Sequence, residues 1–496
     1  MTQLPLFNDA PSTPQPNRRV PAVEQFEGAV VFSAVGDALG WPTEFLKPDG
    51  KFKPSFGLPI RDFVQWKKVV GGKWWGYDDH ISPGQYSDDT QLMLAVARSI
   101  DQHARFVPER FAFEELPLWL QYERGGGKSI KTAARKLVGK RADWQQNFYH
   151  TADISYRTAG ANGAAMRNLP IALARVNNYD QLVRDSFYNA IITHGHPRAI
   201  LGAILLALAT DYALNSTTSF SFNHLLEYLE TNIRSVSLVL NNTGVARRWI
   251  ARWNANKSSN SRDELAFSNI LRNVEDEIQT QLGKIVSFFN ADAKDYYTVV
   301  GALDTSTKGS GIATVCAAIY LFSRYINDPE LALLTSVNML GSDTDTISCL
   351  LGALMGAYHG ISAVPHHYLE GIQDKEYLFK TAHRLHRIAS GESEFQLGDD
   401  NAFNRREAYV RILAWEIGLH EMFWDALEVG GTVYHPTLGR GTIEHKARSS
   451  VRRNEYEAKL INIRFDCGQT CVFHSRVEKT GKVSESLAVE VNRALT

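Results

Sequence analysis

Sulfur chemistry is nearly absent from this chain. Of its 496 residues only four are cysteine, Cys316, Cys349, Cys467 and Cys471, too few for a disulfide framework and in no CxxC pair. Cys467 and Cys471 fall in a segment that reads as strand and turn rather than as half of a zinc site. A reducing compartment, the cytoplasm, is the natural expectation. Net charge is missing as well: 53 Lys and Arg oppose 54 Asp and Glu, so no global field draws the chain to nucleic acid or to an anionic membrane. No apolar run reaches the ~20 residues of a membrane span. The longest, Ala199 to Ala209 and the stretch around Ile347 to Ala357, read as buried core helices, and no membrane contact is expected. The opening residues lack the apolar core of a signal peptide. No internal repeat is visible.

What is present divides along the chain. The length exceeds a single compact core, so more than one domain is expected. Residues 1–21 read as a disordered tail rich in proline. Residues 22–395 are mainly helical in pattern: QLMLAVARSI, AILGAILLALATDYAL, IATVCAAIYLFSRYI and TISCLLGALMGAYHGI are rich in Ala and Leu and lack strand alternation. Gly352 and Gly356 share a helical face and allow close approach of a neighbour. The more polar stretch from about Asn215 to Asp295 reads as a loop-bearing insertion. Residues 396–427 carry one or two connecting helices. From 428 to 496, β-branched runs separated by glycine turns predict strands and a small β-barrel. There Tyr434, Phe465 and Phe473 are expected in the core. Its slight excess of Lys and Arg does not by itself indicate nucleic-acid binding.

Two acidic motifs dominate the chemistry. YSDDTQ contains Ser87, Asp88, Asp89 and Thr90; GSDTDTIS contains Ser342, Asp343, Thr344, Asp345 and Thr346. Each places paired carboxylates and hydroxyls at a predicted helix start. Adjacent carboxylates repel unless something positive lies between them, and hard oxygen donors suit Mg²⁺, Mn²⁺ or Ca²⁺ rather than zinc. Helix capping explains each motif equally well when it is taken alone. In GDALGWPTEF, Glu44 follows Pro42 and is expected just past a helix end, where it can reach a cleft or remain a solvated loop residue. In AGANGAAMRNLP, Gly160 and Gly163 flank Asn162, with Met166 following. Such a turn can present N–H groups to phosphate, or be only a turn; its spacing is neither a P-loop nor a dinucleotide fingerprint. In THGHPRA, His194 and His196 do not share a helical face, which favours a structural role.

Taken in order over about Glu24 to Ser390, these motifs resemble the ADP-ribosylglycohydrolase family, which includes the dinitrogenase reductase-activating glycohydrolases. The resemblance rests on GAVVFSAVGDALGWPTEF, YSDDTQLM, ANGAAMRNLP, THGHPRAILGA and GSDTDTISCLLGALMGAYHG. It implies an all-α core with a binuclear Mg²⁺ centre, Mn²⁺ being the alternative. Ser87, Asp88, Asp89 and Asp345 would hold one ion. Asp343, Asp345 and Thr346 would hold the other, with Asp345 bridging and Glu44 as ligand or gate. Gly160, Asn162, Gly163, Met166 and Ser342 would line the ADP-ribose site, with His194 on its adenosine side. Ser87 replaces a more usual Thr, keeping the hydroxyl, and Ser342 replaces a more usual Gly. Gly160 stands where some members use an aromatic against adenine; Tyr156 is a substitute or a packing residue. Glu44, Asp88 and Asp89 are the carboxylates expected to carry catalysis, with Glu44 or Asp88 accepting the proton of water.

The two ends carry weaker resemblances. GGTVYHPTLGRGTIEH with INIRFDCGQTCVF resembles the tudor-like (SH3-like) barrel that ends UvrD-type helicases, either a contact module or a stabilising appendage. Gln3, Leu4, Leu6 and Phe7 in QLPLF resemble the peptide that docks on the bacterial DNA sliding clamp. The expectation is thus a Mg²⁺-dependent hydrolase that removes ADP-ribose from a protein or nucleic acid. Its competitors are a non-catalytic ADP-ribose reader recruited by its end modules and a Mg²⁺ hydrolase of another phosphorylated nucleoside. The intact acidic set argues against a reader.

Overall fold

A computed structural model describes residues 20–48, 50, 54–71, 76–139, 141–216, 220–256, 265–392, 403–419, 424–453 and 456–478. The proposed clamp peptide at Gln3–Phe7 lies outside them. The elements used below are α1 (Val23–Gly40), β1 (Trp66–Val70), β2 (Tyr77–Ile81), α2 (Asp88–Arg98), α3 (Pro197–Asn215), α4 (Phe222–Asn242), α5 (Phe267–Phe288), α6 (Gly311–Arg324), α7 (Thr344–His359), α8 (Lys375–Ala389), α9 (Arg405–Gly418), β3 (Thr432–His435), β4 (Gly439–Ser450), β5 (Tyr456–Phe465) and β6 (Thr470–Glu478).

The core is built on helices that are apolar nearly all round, as buried helices must be. In α1 every residue from Gly28 to Gly40 is buried, and in α7 every residue from Thr344 to Ala357. The two helices meet backbone to backbone because glycines face each other. A Cβ on Gly36 would stand 2.1 Å from the Ser348 carbonyl oxygen, and one on Gly352 2.2 Å from that of Phe32. A second close crossing joins α3 to α6, where a Cβ on Gly202 would stand 2.5 Å from the Gly311 carbonyl oxygen. By length and composition α3 is apolar enough to cross a membrane, but 83% of its apolar window is buried in the fold.

Two expectations are corrected here. The first is the all-α core: β1 and β2 form a two-stranded antiparallel sheet, with Trp66 opposite Ile81 and Val70 opposite Tyr77. Trp66 and Ile81 pack with Trp41 into a small apolar cluster, which gives the sheet its anchor. The fold is mostly helical rather than all-α. The second concerns the stretch read as a loop-bearing insertion at 215–295: its described residues are largely amphipathic helices, while most of its polar run NANKSSNSRDE lies outside them. α4 buries Leu225, Leu229, Ile233, Val236 and Leu240, and α5 buries Leu271, Val274, Ile278, Leu282 and Ile285. The three-and-four spacing holds one apolar face on the core while the other faces carry the polar residues that suggested loops.

At the C-terminus β3 to β6 form an antiparallel meander in sequence order. Among the described residues β3 and β6 each pair with one neighbour, so the sheet is open and no closed barrel is present. Phe465 and Phe473 are buried, but Tyr434 is 72% exposed, contrary to its expected place in the core. Strand alternation gives the reason: in β3 the inward positions are Val433 and His435, and Tyr434 falls between them. The inner face packs on α9 and the core through rings, with Trp415 4.9 Å from His435 and Tyr122 5.6 Å from Phe473.

The sheet also grips the core by polar ties. Asp374 Oδ2 accepts from the Tyr86 hydroxyl at 2.7 Å and from the Thr470 N–H at 2.9 Å. Arg98 Nη1 donates to Gln469 Oε1 at 2.8 Å, and the Arg452 N–H to the Gly76 carbonyl at 3.0 Å. Tyr77 of β2 is buried against Val451 and Ala458. The C-terminal sheet therefore holds both β2 and the residue that precedes the first acidic motif.

Candidate active site

The first acidic motif is a helix cap turned inward. Ser87 is the N-cap of α2, its Oγ accepting from the Asp89 N–H at 3.2 Å. That satisfies one free donor of the helix start. Asp37 of α1, fully buried, fixes the turn from below. Its carboxylate accepts from the N–H groups of Ser87 (3.1 Å) and Thr90 (3.0 Å) and from the Thr90 hydroxyl (2.6 Å). The Asp88 N–H donates to the Arg124 carbonyl at 3.0 Å, and Arg124 is itself paired with Asp79 of β2 at 2.8 Å. With backbone and hydroxyl spent in this way, the carboxylates of Asp88 and Asp89 are left for other work. Asp89 Oδ2 is buried with no hydrogen-bond partner among the described residues.

The second motif opens α7, with Asp343 as its N-cap. The Thr344 hydroxyl donates to the Gly40 carbonyl at 2.8 Å, which ties the start of α7 to the end of α1. Beyond α1 a short 3₁₀ turn, Trp41–Thr43, delivers Glu44. Carboxylate oxygens of Glu44, Asp343 and Asp345 all lie within 4.8 Å of one another. Glu44, Asp343 and Asp89 all repel the Asp345 carboxylate, and Asp88 and Asp343 repel that of Asp89. The two motifs, distant in sequence, and Glu44 thus meet at one point where α1, α2 and α7 converge.

Electrostatics mark that point. Burial pushes Asp88, Asp89 and Asp345 well above the ordinary carboxylate range, and mutual repulsion adds to it. Glu44 is raised to about 7, first by burial and further by Asp343; Lys68 and Lys308 oppose the shift. Carboxylates so crowded hold a stored repulsion that a cation relieves. The donor set is entirely oxygen, from Asp, Glu, Ser and Thr. Together with the orphaned Asp89 Oδ2, this fits a hard divalent cation.

The glycine turn lies beside this cluster. Asn162 Nδ2 donates to Asp343 Oδ2 at 2.8 Å, and the Asn162 N–H to the Gly309 carbonyl at 2.9 Å. The Gly160 carbonyl accepts from Gly311 N–H at 3.0 Å. Other expected residues are further back. Ser342 is fully buried, its hydroxyl donating to the Met339 carbonyl at 2.8 Å. Met166 is buried in the core. His194 is buried behind the turn, 3.0 Å from where a Cβ on Gly163 would be. Burial first, then Arg167, lowers its pKa to about 3, which keeps the ring neutral. Tyr156 is a packing residue, ringed by Phe148, Tyr149 and Trp249.

Sequence reasoning missed two contributors. Asp37 sat in a quoted motif but received no role, because nothing in its spacing says that it will lie beneath Ser87. Lys68 had no signal at all. Its ammonium is 4.9 Å from the ring centroids of both Trp41 and Phe45, and it is the leading opposing charge for Glu44 and Asp88.

Comparison with known proteins agrees with this geometry. ADP-ribosylhydrolase ARH3 of Bos taurus is 29% identical over 393 residues, covering 74% of this chain and 93% of that protein. ADP-ribosyl-[dinitrogen reductase] glycohydrolase of Rhodospirillum rubrum is 33% identical over 171 residues, covering 34% and 51%. ADP-ribosylarginine hydrolase Tri1 of Serratia proteamaculans is 23% identical over 381 residues, covering 75% and 81%. The ADP-ribosylglycohydrolase family profile matches residues 18–394, and over that span, which carries the acidic cluster and the glycine turn, the chain belongs to the ADP-ribosylglycohydrolase family of hydrolases.

Proposed function

We propose that this enzyme hydrolyses the glycosidic bond between ADP-ribose and a modified macromolecule in a reaction that needs Mg²⁺. The supporting observation is the grouping of Glu44, Asp343 and Asp345 carboxylate oxygens within 4.8 Å of one another, with the carboxylate of Asp89 repelling those of Asp343 and Asp345 and its Oδ2 buried without a hydrogen-bond partner among the described residues. Ser87, Asp88, Asp89 and Asp345 would hold one ion in this reading, and Asp343, Asp345 and Thr346 the other. Bound there, divalent cations supply Lewis acidity toward ribose hydroxyls and the attacking water.

The chain's own residues do the rest. Gly160, Asn162 and Gly163 line the ADP-ribose. The Asn162–Asp343 hydrogen bond keeps that turn in register with the carboxylates. One carboxylate, Glu44 or Asp88, takes a proton from water as its oxygen bonds to the anomeric carbon. The bond between the anomeric carbon and the acceptor breaks, and the acceptor leaves with the proton that the carboxylate took from water, so that OH ends on ADP-ribose and H on the acceptor. The names of the relatives, which include an ADP-ribosylarginine hydrolase and an ADP-ribosyl-[dinitrogen reductase] glycohydrolase, favour a protein acceptor.

Release of ADP-ribose from arginine-, serine- and DNA-linked substrates, measured with Mg²⁺ or EDTA, tests the reading. The wild type should release it with Mg²⁺ only, and Asp345→Ala should not. Glu44→Gln with turnover lost and metal uptake retained assigns the base to Glu44. Turnover that persists in EDTA overturns the metal reading, and none on any substrate overturns the hydrolase reading.

A further inference from the structure

Lys68 faces the carboxylate cluster without a hydrogen-bond partner among the described residues. It comes from β1, the strand pair inserted between Glu44 and Ser87 in sequence. Its Nζ is buried. A buried ammonium without acceptors is costly, so its position needs a compensating interaction. Two are visible. The rings of Trp41 and Phe45 each lie 4.9 Å away and offer their negative faces. The carboxylates offer charge across a short gap. A Cβ built on Gly125 would stand 2.6 Å from Asp88 Oδ1 and 3.4 Å from Lys68 Nζ, so both atoms border the space above that glycine.

The strand is held so that the lysine stays there. Trp66, two residues earlier, is buried edge-on against Trp41 with centroids 5.1 Å apart. At the other end Val70 packs with Tyr77 against Val451, Tyr456 and Leu460 of the C-terminal sheet. Gly125 completes the arrangement: at φ +123° it occupies a conformation that favours glycine, and any side chain there would press on Asp88 and Lys68.

We propose that Lys68 is the built-in counter-ion of the acidic centre, a positioning residue that sets how tightly the centre holds a divalent cation. This rests on the reading of the cluster as a metal site. The charge of Lys68 partly balances the carboxylates, so it stabilises the cation-free centre and repels an incoming cation. The same charge therefore gives opposite signs in two measurements, which a purely packing role would not.

The test is calorimetric titration of Mg²⁺ and of Mn²⁺ into the full chain stripped with chelator, for the wild type, Lys68→Met and Lys68→Arg. Thermal melts in EDTA and in saturating Mg²⁺ accompany it. Lys68→Met keeps the apolar stem and removes the charge. It should bind the ions more tightly, on the order of tenfold, and melt lower than wild type in EDTA, with the gap closing in Mg²⁺. Lys68→Arg should restore wild-type values in both. Equal affinity in wild type and Lys68→Met, with the circular dichroism spectrum unchanged, overturns the role of Lys68 while leaving the metal site standing. Absence of ion uptake by the wild type overturns both.

Discussion

Asp37 shapes the candidate site from beneath, through the turn that carries Asp88 and Asp89. Both of its oxygens are occupied by donors from Ser87 and Thr90. In Asp37→Asn one acceptor becomes a donor facing donors, so the turn that aims Asp88 and Asp89 must shift. The expected cost is about 1–3 kcal/mol of stability, seen by chemical denaturation, with ADP-ribose release reduced well beyond that of a surface variant of equal stability. Within the cluster the sign reverses. Asp345 is held among Glu44, Asp343 and Asp89, so Asp345→Asn removes a repelling charge. In EDTA it should be more stable than wild type by on the order of 1 kcal/mol, and inactive. A lower melting temperature in EDTA would mean that repulsion does not dominate there. The paired acids were legible because adjacent carboxylates are unusual and need a reason. Asp37 and Lys68 were not, since their roles arise from which backbone lies over them. Ser342 shows the converse: its hydroxyl looked available for a ligand but is spent on the Met339 carbonyl.

At the scale of elements, the contact of α1 with α7 decides whether the motifs meet at all. Gly352 and Gly356 announced it through their shared face, and Gly36 completes it. Gly36→Ala puts a methyl 2.1 Å from a backbone oxygen that has no rotamer to escape into. It should destabilise by about 3 kcal/mol, where alanine in an open helix would stabilise; a smaller loss by urea denaturation would mean the helices can separate. The helices of α4 and α5 were hidden by their polar faces, and β1 and β2 by charged residues that blur alternation. His435 carries a pH signature for the C-terminal sheet. Burial first, then Arg98, lowers its pKa to about 3 from an ordinary 6.5, and its Nδ1 accepts from the Leu438 N–H at 3.2 Å. The unfolded chain takes up a proton below 6.5 that the folded chain refuses. The contribution is therefore complete above pH 6.5 and drains as pH falls toward 3. His194 and His196 act with the same sign. Glu44, raised to about 7, acts with the opposite sign, so the contribution is read as a difference: from pH 7.5 to pH 5 the urea midpoint of the wild type should drop relative to that of His435→Asn, which retains an acceptor and does not titrate, and no relative drop would remove His435 from the account.

For the whole molecule the question is why a hydrolase of this family carries a sheet beyond residue 394, where the family match ends. The sequence made the sheet visible through its glycine-separated β-branched runs, but its purpose depends on contacts that no local pattern encodes. Those contacts reach the elements that carry the acidic motifs. Asp374 sits at φ +57° and its Oδ2 gathers the Tyr86 hydroxyl, the Thr470 N–H and the Gln373 side chain. Tyr86 immediately precedes Ser87, so one carboxylate joins the C-terminal sheet to the first acidic motif. Asp374→Gly deletes all three acceptor contacts while placing at that backbone angle the residue best suited to it; what is lost is the tie and not the turn. If the sheet is a brace of the active site, turnover of a short ADP-ribosylated peptide should fall about tenfold, and Val451→Asp, which breaks the packing on Tyr77, should do the same. If the sheet serves only to recruit the enzyme to a larger partner, neither variant should affect a substrate too small to reach it. The short peptide thus separates a structural part of the catalytic machine from an attached adaptor.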